Sequence, residues 1–280
     1  MTMTRRAFAA LPLLGIPPAA WACVVEPGWL EFTERVCPIP HLTRPVDIVH
    51  LSDLHASVEV PVSLIERSVD MAVSAKPDII CVTGDFVTVA TGFDRRWYEK
   101  TLSKLAAARP TYAVLGNHDG GKWSGYGGGL RGPGEVTRML EASGVEVLSN
   151  RSVKISPQGS PLRLVGVHDV WSGFMDAPKA FSEVGDGEGV VLLSHNPDSK
   201  KPLGKYPWNV MLSGHTHGGQ VVMPITGTNP APVADRRYVE GLKPWRDRWI
   251  HVSRGVGSIK GVRFNCRPEV TLLRLACADG

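Results

Sequence analysis

The chain has 280 residues, 43% hydrophobic and 21% charged, with 30 Gly, 22 Pro and a formal net charge of +4. This composition excludes disordered, collagen-like and disulfide-scaffold proteins, and no apolar stretch reaches the roughly 20 residues that span a bilayer. The net charge is too small to argue for nucleic acid by itself.

The first 22 residues read as an address. Thr4-Arg5-Arg6-Ala7-Phe8 opens them, a weakly apolar run through Leu11, Leu13, Leu14 and Ile16 follows, and Ala20-Trp21-Ala22 closes them. A charged start, a short apolar centre and an A-x-A end make a signal peptide. The adjacent arginines resemble the twin-arginine export signal. The expectation is export by the Tat machinery to the periplasm or envelope; cleavage after Ala22 would leave Cys23 at the new N-terminus. Residues 23–45 form a Pro-rich lead-in, and residues 46–280 are expected to form a single domain.

Val46–Leu51, Asp78–Thr83 and Thr111–Leu115 are short apolar runs bounded by turn residues, the pattern of buried strands. Between the first two, Val62, Ile65, Val69 and Val73 recur at helical spacing. Arg95–Ala108 and Gly134–Ala142 are predicted as the next helices. A β-α-β-α-β opening favours parallel strands covered by helices. Residues 120–134 contain eight glycines and read as a mobile loop over an active site. The second half is predicted as strands at Leu162–Val167, Val190–Ser194, Val210–Ser213, Gln220–Met223, Trp249–Ser253, Val262–Asn265 and Val270–Leu275. The five cysteines show no C-x-x-C and no regular spacing. Cys81 reads as a core residue, and a Cys37–Cys266 bridge is allowed but not demanded.

Metal-type ligands fall just past five of these strands: Asp53 and His55; Asp85; Asn117, His118 and Asp119; His195; His215 and His217. In α/β sheets the carboxyl ends of strands converge on one crevice. The i, i+2 spacing of Asp53/His55 and of His215/His217 puts each pair on one side of an extended segment. Gly84, Gly116, Gly214 and Gly218 flank the ligands and allow close backbone approach. His41, His50, His168 and His251 lack this setting and read as structural, since a lone His or Asp after a strand is usually a turn or capping residue. His168-Asp169 is the nearest competitor, following an apolar run but without glycine framing.

The order D-x-H, G-D, G-N-H-D, H, G-H-x-H over about residues 46–220 resembles the calcineurin-like metallophosphoesterases. Glu26-Pro27-Gly28-Trp29, residues 195–200, 235–241 and 254–271 are further similar to an exported bacterial phosphodiesterase of that family. The resemblance implies an α/β fold, a four-layer α/β/β/α sandwich of two mixed sheets. It implies two divalent ions, one on Asp53, His55, Asp85 and His217, the other on Asp85, Asn117, His195 and His215, with Asp85 bridging. Imidazole with carboxylate suits Mn, Fe, Co or Zn better than Mg or Ca. A hydroxide bridging the ions would attack phosphorus in line. His118 matches the family's catalytic His, stabilising phosphoryl oxygens or protonating the leaving group, and Asp119 is a candidate to orient it.

The leading expectation is therefore a dinuclear-metal phosphodiesterase acting on a phosphate ester. Hydrolysis of lipid-linked pyrophosphates such as UDP-2,3-diacylglucosamine is the alternative, weakened because residues 120–190 show no amphipathic lid helix. A nuclease fits export poorly, so no nucleic-acid partner is expected, and a non-catalytic metal-binding protein would have no use for His118. Residues 236–274 carry ten Lys/Arg against three acids, a net +7 suited to an anionic substrate, an anionic membrane surface or a solvated basic face.

Overall fold

A computed structural model describes residues 17–88, 92–127, 130, 132–227 and 229–278. The Arg5-Arg6 motif and its apolar run lie outside the described residues. The strands are, in chain order, β1 (Glu31–Ile39), β2 (Val46–Leu51), β3 (Ile79–Thr83), β4 (Thr111–Val114), β5 (Glu146–Val147), β6 (Arg151–Ile155), β7 (Leu162–Gly166), β8 (Val190–Leu193), β9 (Val210–Ser213), β10 (Gly241–Trp245), β11 (Arg248–Val252) and β12 (Glu269–Cys277). They form two mixed six-stranded sheets, ordered β1-β12-β2-β3-β4-β5 and β10-β11-β9-β8-β7-β6. The main helices are α1 (Val62–Ser74), α2 (Arg95–Ala108) and α3 (Gly134–Ala142).

Alternation along the strands builds the layers. Within β2, Ile48 faces the second sheet while Val49 and Leu51 face the helices. Ile48, Cys81, Val114 and Leu273 of the first sheet meet Leu164, Val191, Leu193 and Leu212 of the second. Outside the first sheet, Ile80 and Val82 are covered by Ile65 and Val69 of α1 and by Tyr98 and Leu102 of α2. The buried stripe of α1 is Leu64, Ile65, Val69 and Ala72, rotated from the predicted one, and Val62 is exposed at the first turn. Asp94 starts α2 by accepting from the backbone N–H groups of Arg96 and Trp97. Outside the second sheet, Val165, Leu192, Met211 and Ile250 are covered by Phe181, Leu203, Trp208 and Tyr238. These side chains ride on short helical turns and loops, so the fourth layer has little regular helix. The expected α/β/β/α sandwich of two mixed sheets is the observed architecture.

Three expectations change. The lead-in contains β1, which pairs in parallel with β12 in the register Glu31–Glu269. Only one face of β1 is buried, so no apolar run marks it. Gln220–Met223 and Val262–Asn265 are not strands; they meet in one bridge between Val221 and Phe264. β10 is a further strand that the sequence reading did not include; it carries Pro244 and pairs with β11 at the sheet edge, where a proline is tolerated.

All five cysteines are free. Cys37 lies between the sheets, and Cys266 donates instead to the His217 carbonyl at 3.1 Å. Part of the basic stretch is bonded within the protein. Arg254 pairs with Glu31 and Glu269 at 2.8 Å each, Arg274 with Asp47 at 2.7 Å, and buried Arg263 donates to the carbonyls of Arg254, Gly255 and Cys266. Among the described residues no helix is long and apolar enough to cross a membrane.

Candidate active site

The carboxyl ends of β2, β3, β4, β8 and β9 converge, and the loops that follow them carry all seven predicted ligands into one buried cluster. Asp53, His55 and His217 form one group able to hold an ion; Asp85, His195 and His215 form another. Asp85 Oδ2 stands between the groups, 3.5 Å from His55 Nε2 and 3.1 Å from His195 Nε2. His55 Nε2 and His217 Nε2 are 3.1 Å apart, and His217 Nε2 is 3.5 Å from Asp53 Oδ1. Asn117 Oδ1 lies 3.2 Å from His195 Nε2 and 2.8 Å from His215 Nδ1, which joins Asn117 to the second group. Donor atoms bound about 2.1 Å from one ion are separated by about 3 Å when at right angles, so these spacings fit ligand sets.

The backbone is bent to make this possible. Asp53, His55, Asp85, His215 and His217 all have φ between +50° and +69°, a region non-glycine residues seldom occupy. Such conformations turn each chain sharply at its strand end. Two glycines clear the space: a Cβ on Gly116 would fall on Asp85 Oδ1, and one on Gly214 would fall on Ser52 Oγ and Asp53 Oδ2.

Hydrogen bonds aim the rings. His195 places Nδ1 2.7 Å from the Thr83 carbonyl, which can only accept, so that nitrogen carries a proton and Nε2 is turned toward Asp85 Oδ2. His55 is held by Thr88 Oγ1 at 3.0 Å. Asp53 accepts the backbone N–H of His215 at 3.0 Å. Burial pushes His55 and His215 down to about 3 and His217 well below the usual range, which keeps these imidazoles neutral. Burial opposes charge on His195 too, but Asp85, Asp53 and Asp169 outweigh it and push His195 up. Burial, with the Asp85 charge, raises Asp53 to about 6. Neutral imidazoles around buried carboxylates are the chemistry a divalent ion requires, and His215 Nε2 and His217 Nδ1 have no hydrogen-bond partner among the described residues.

His118 stands beside the first group, within reach of His55 and Asp85. Its backbone N–H donates to Asp85 Oδ1 at 2.9 Å, and its Nδ1 donates to the Thr88 carbonyl at 2.9 Å. Nε2 is thereby left for a bound molecule, and His118 lines the cleft. Asp119 is a correction: Thr88, not Asp119, orients His118. The Asp119 carboxylate accepts the backbone N–H groups of Phe86, Val87 and Gly116 at 2.8, 3.2 and 2.8 Å. It ties the β3 and β4 loops together. Burial and the Asp85 charge push it up to about 8, against the pull of those N–H groups.

Sequence reasoning missed several residues and set Asp169 aside as a competitor without glycine framing. Thr83 and Thr88 act through backbone or hydroxyl oxygens, which leave no ligand-like signature. Asp169 is buried; its Oδ1 accepts the Trp171 N–H at 2.7 Å, and its Oδ2 has no partner among the described residues. Its place after an apolar run was the available signal. His168 is turned away and meets Phe174 at 5.9 Å. His50 and His251 pair with each other at 2.8 Å inside the protein. The glycine-rich segment supplies Trp123, from a short helix at Lys122–Gly127, to a cleft of about 300 Å³ above the cluster. Trp171 lines the same cleft.

Residues 46–219 match the family model described as calcineurin-like phosphoesterase. The chain is 40% identical over 251 residues to the phosphodiesterase YaeI of Escherichia coli (strain K12), covering 89% of this chain and 90% of that protein. It is 31% identical to the uncharacterized metallophosphoesterase YkuE of Bacillus subtilis, covering 91% and 88%. It is 28% identical to the UDP-2,3-diacylglucosamine pyrophosphatase LpxG of Chlamydia trachomatis, covering 91% and 92%.

Proposed function

The chain belongs to the calcineurin-like phosphoesterase family, whose members hydrolyse phosphoester bonds, and we propose that it is a phosphodiesterase working with two divalent ions. The observation that carries this reading is Asp85, whose Oδ2 is shared between two His-bearing groups. Asp53, His55, Asp85 and His217 would hold one ion, and Asp85, Asn117, His195 and His215 the other. Mixed imidazole and carboxylate donors favour Mn, Fe, Co or Zn. When bound, the ions supply Lewis acidity and a water activated at neutral pH.

The chain's own residues do the rest. Against +4 from two dications, Asp53 and Asp85 return only −2, so the site attracts a phosphoryl group. His118, fixed through Nδ1, presents Nε2 to the cleft to hold a phosphoryl oxygen or give a proton to the departing alkoxide. The diester preference is supported by the 40% identical relative and by the cleft, which no Lys or Arg lines among the described residues. A dianionic monoester would gain little there beyond the ions. The pyrophosphatase alternative rests on a relative at lower identity.

Export by a Tat-type signal to the periplasm or envelope is supported by Arg5-Arg6 and the A-x-A at Ala20–Ala22. Lys243, Arg246 and Lys260 remain exposed and would be the cations to meet an anionic membrane surface.

The test is hydrolysis of bis-p-nitrophenyl phosphate against p-nitrophenyl phosphate by the full chain loaded in turn with Mn, Fe, Co or Zn. Preference for the diester supports the reading. Preference for the monoester, or turnover of neither ester, overturns it.

A further inference from the structure

The cleft above the cluster has a polar floor and apolar walls. Its floor is Asp85, Asn117, His118, His215 and His217, and its volume of about 300 Å³ is at the small end for ligand sites. Trp123 and Trp171 both line it, with ring centroids 6.1 Å apart and planes inclined by 31°. Pro230, Pro232 and Ile259 also line it.

Each indole touches a residue of the floor. Trp123 meets His118 at 4.6 Å and 66°, and Trp171 meets His215 at 4.5 Å and 85°. A group lying against these rings would thus sit beside the floor residues that would face a phosphoryl group. Trp171 is 37% exposed although its loop is pinned by Asp169, so its exposure is built into the loop. Trp123 beside it is half-buried, and an exposed indole over a polar centre is surface that a ligand covers. Among the described residues no Lys or Arg lines the cleft, and a substituent entering it meets carbon rather than charge.

We propose that Trp123 and Trp171 are specificity-determining residues that select a phosphodiester carrying a flat aromatic ester group, stacked on the two indoles while phosphorus lies over the cluster. This rests on the phosphodiesterase reading. It narrows the substrate class to diesters of small aromatic alcohols. A long acyl chain would overrun the cleft, and a second phosphate in it would find no cation among the described residues.

Phenylphosphonate and methylphosphonate carry the same phosphoryl anion and differ only in the ring. Their binding to the metal-loaded full chain is read by indole fluorescence and, separately, by inhibition of bis-p-nitrophenyl phosphate hydrolysis. Phenylphosphonate is expected to bind about tenfold tighter, the scale of one aromatic contact, and to quench indole emission. Trp123→Ala and Trp171→Ala should each shrink that preference severalfold, and Trp171→Phe should restore most of it, which a purely structural role would not do. Equal affinity for the two phosphonates, or a preference that survives both alanine variants, overturns the proposal while leaving the phosphodiesterase reading standing. Absence of diester hydrolysis with every ion overturns that reading and the proposal with it.

Discussion

Asp85 Oδ2 lies 3.1 Å from His195 Nε2, and His195 is itself turned toward it by the Thr83 carbonyl. The same oxygen is 3.5 Å from His55 in the neighbouring group, so one carboxylate serves both halves of the centre. Asp85→Asn keeps the shape and removes the charge. Loss of a shared charged ligand should exceed the roughly 10–100-fold effect typical of outer partners, lowering diester turnover by more than about 100-fold. Metal content should fall from two ions per chain toward one or none. Elemental analysis beside a kinetic assay checks both, and full activity with two ions retained would sink the bridging role.

His118 separates binding from turnover. Its ring is fixed by the Thr88 carbonyl, and its free nitrogen lies at the cleft. His118→Ala should therefore retain its metal content while kcat falls about 10²–10⁴-fold, the usual scale for a lost proton donor. The deficit should shrink for a diester with a good leaving group such as p-nitrophenolate and grow for an alkyl one. An equal deficit with both would show that His118 acts on the phosphoryl oxygens instead.

Asp119 calls for a different outcome. Its carboxylate satisfies three backbone N–H groups, and Asp119→Ala would leave buried donors bare at about 1–3 kcal/mol each. The variant should melt many degrees lower, with metal affinity reduced because the β3 and β4 loops carry Asp85 and Asn117. Unchanged melting with a pure kcat loss would instead support the orienting role first expected for it.

The candidate ligands were legible because they sit at the ends of apolar runs, all but His195 beside a glycine or another candidate ligand, and parallel strand ends of an α/β sheet point one way. What bends them was not. Positive φ at Asp53, His55, Asp85, His215 and His217 is a property of the folded loops, and the bias of Asp and His toward that region is too weak to place it from sequence. The acceptors that aim His195 and His118 are backbone carbonyls, which every residue has. Trp123 and Trp171 are about fifty positions apart and look like ordinary loop aromatics until the two sheets bring them together. In the fold, buried parallel strands such as β3 were legible as runs, whereas β1, buried on one face at an edge, was not.

Acid sensitivity should come partly from the second sheet. Arg163 at the start of β7 grips Glu188 through two hydrogen bonds of 3.0 and 3.1 Å. These bonds hold the Glu188 carboxyl down at about 2, against an ordinary 4.5. The folded state then binds fewer protons than the unfolded one between those values, so the contribution is fully present above about pH 4.5 and is lost as pH falls toward 2. Glu188→Gln should flatten this part of the melting-temperature profile while changing little at pH 7 beyond the lost pair. Identical acid limbs for the two proteins would show that Arg163 and Glu188 do not hold together in solution.

The described part of the N-terminus is built into the body, and this bears on the proposed cleavage after Ala22. Trp21 Nε1 donates to Glu26 Oε2 at 2.8 Å and its ring lies 5.6 Å from Trp29; the Ala22 carbonyl accepts the Arg263 N–H at 2.9 Å. The other Glu26 oxygen accepts the Cys266 N–H, and Cys266 in turn reaches the carbonyl of His217. The segment thus braces the loop behind one group of the proposed metal centre. Cleavage after Ala22 would delete two of these bonds, each worth about 0.5–1.5 kcal/mol. A chain starting at residue 23 should melt a few degrees below one starting at residue 17. One starting at residue 27 should melt lower still and release Mn²⁺ faster to a chelator, because the buried Cys266 N–H then has lost its acceptor. If all three melt and release metal alike, the contacts of residues 17–26 carry no stability and cleavage at Ala22 costs the fold nothing.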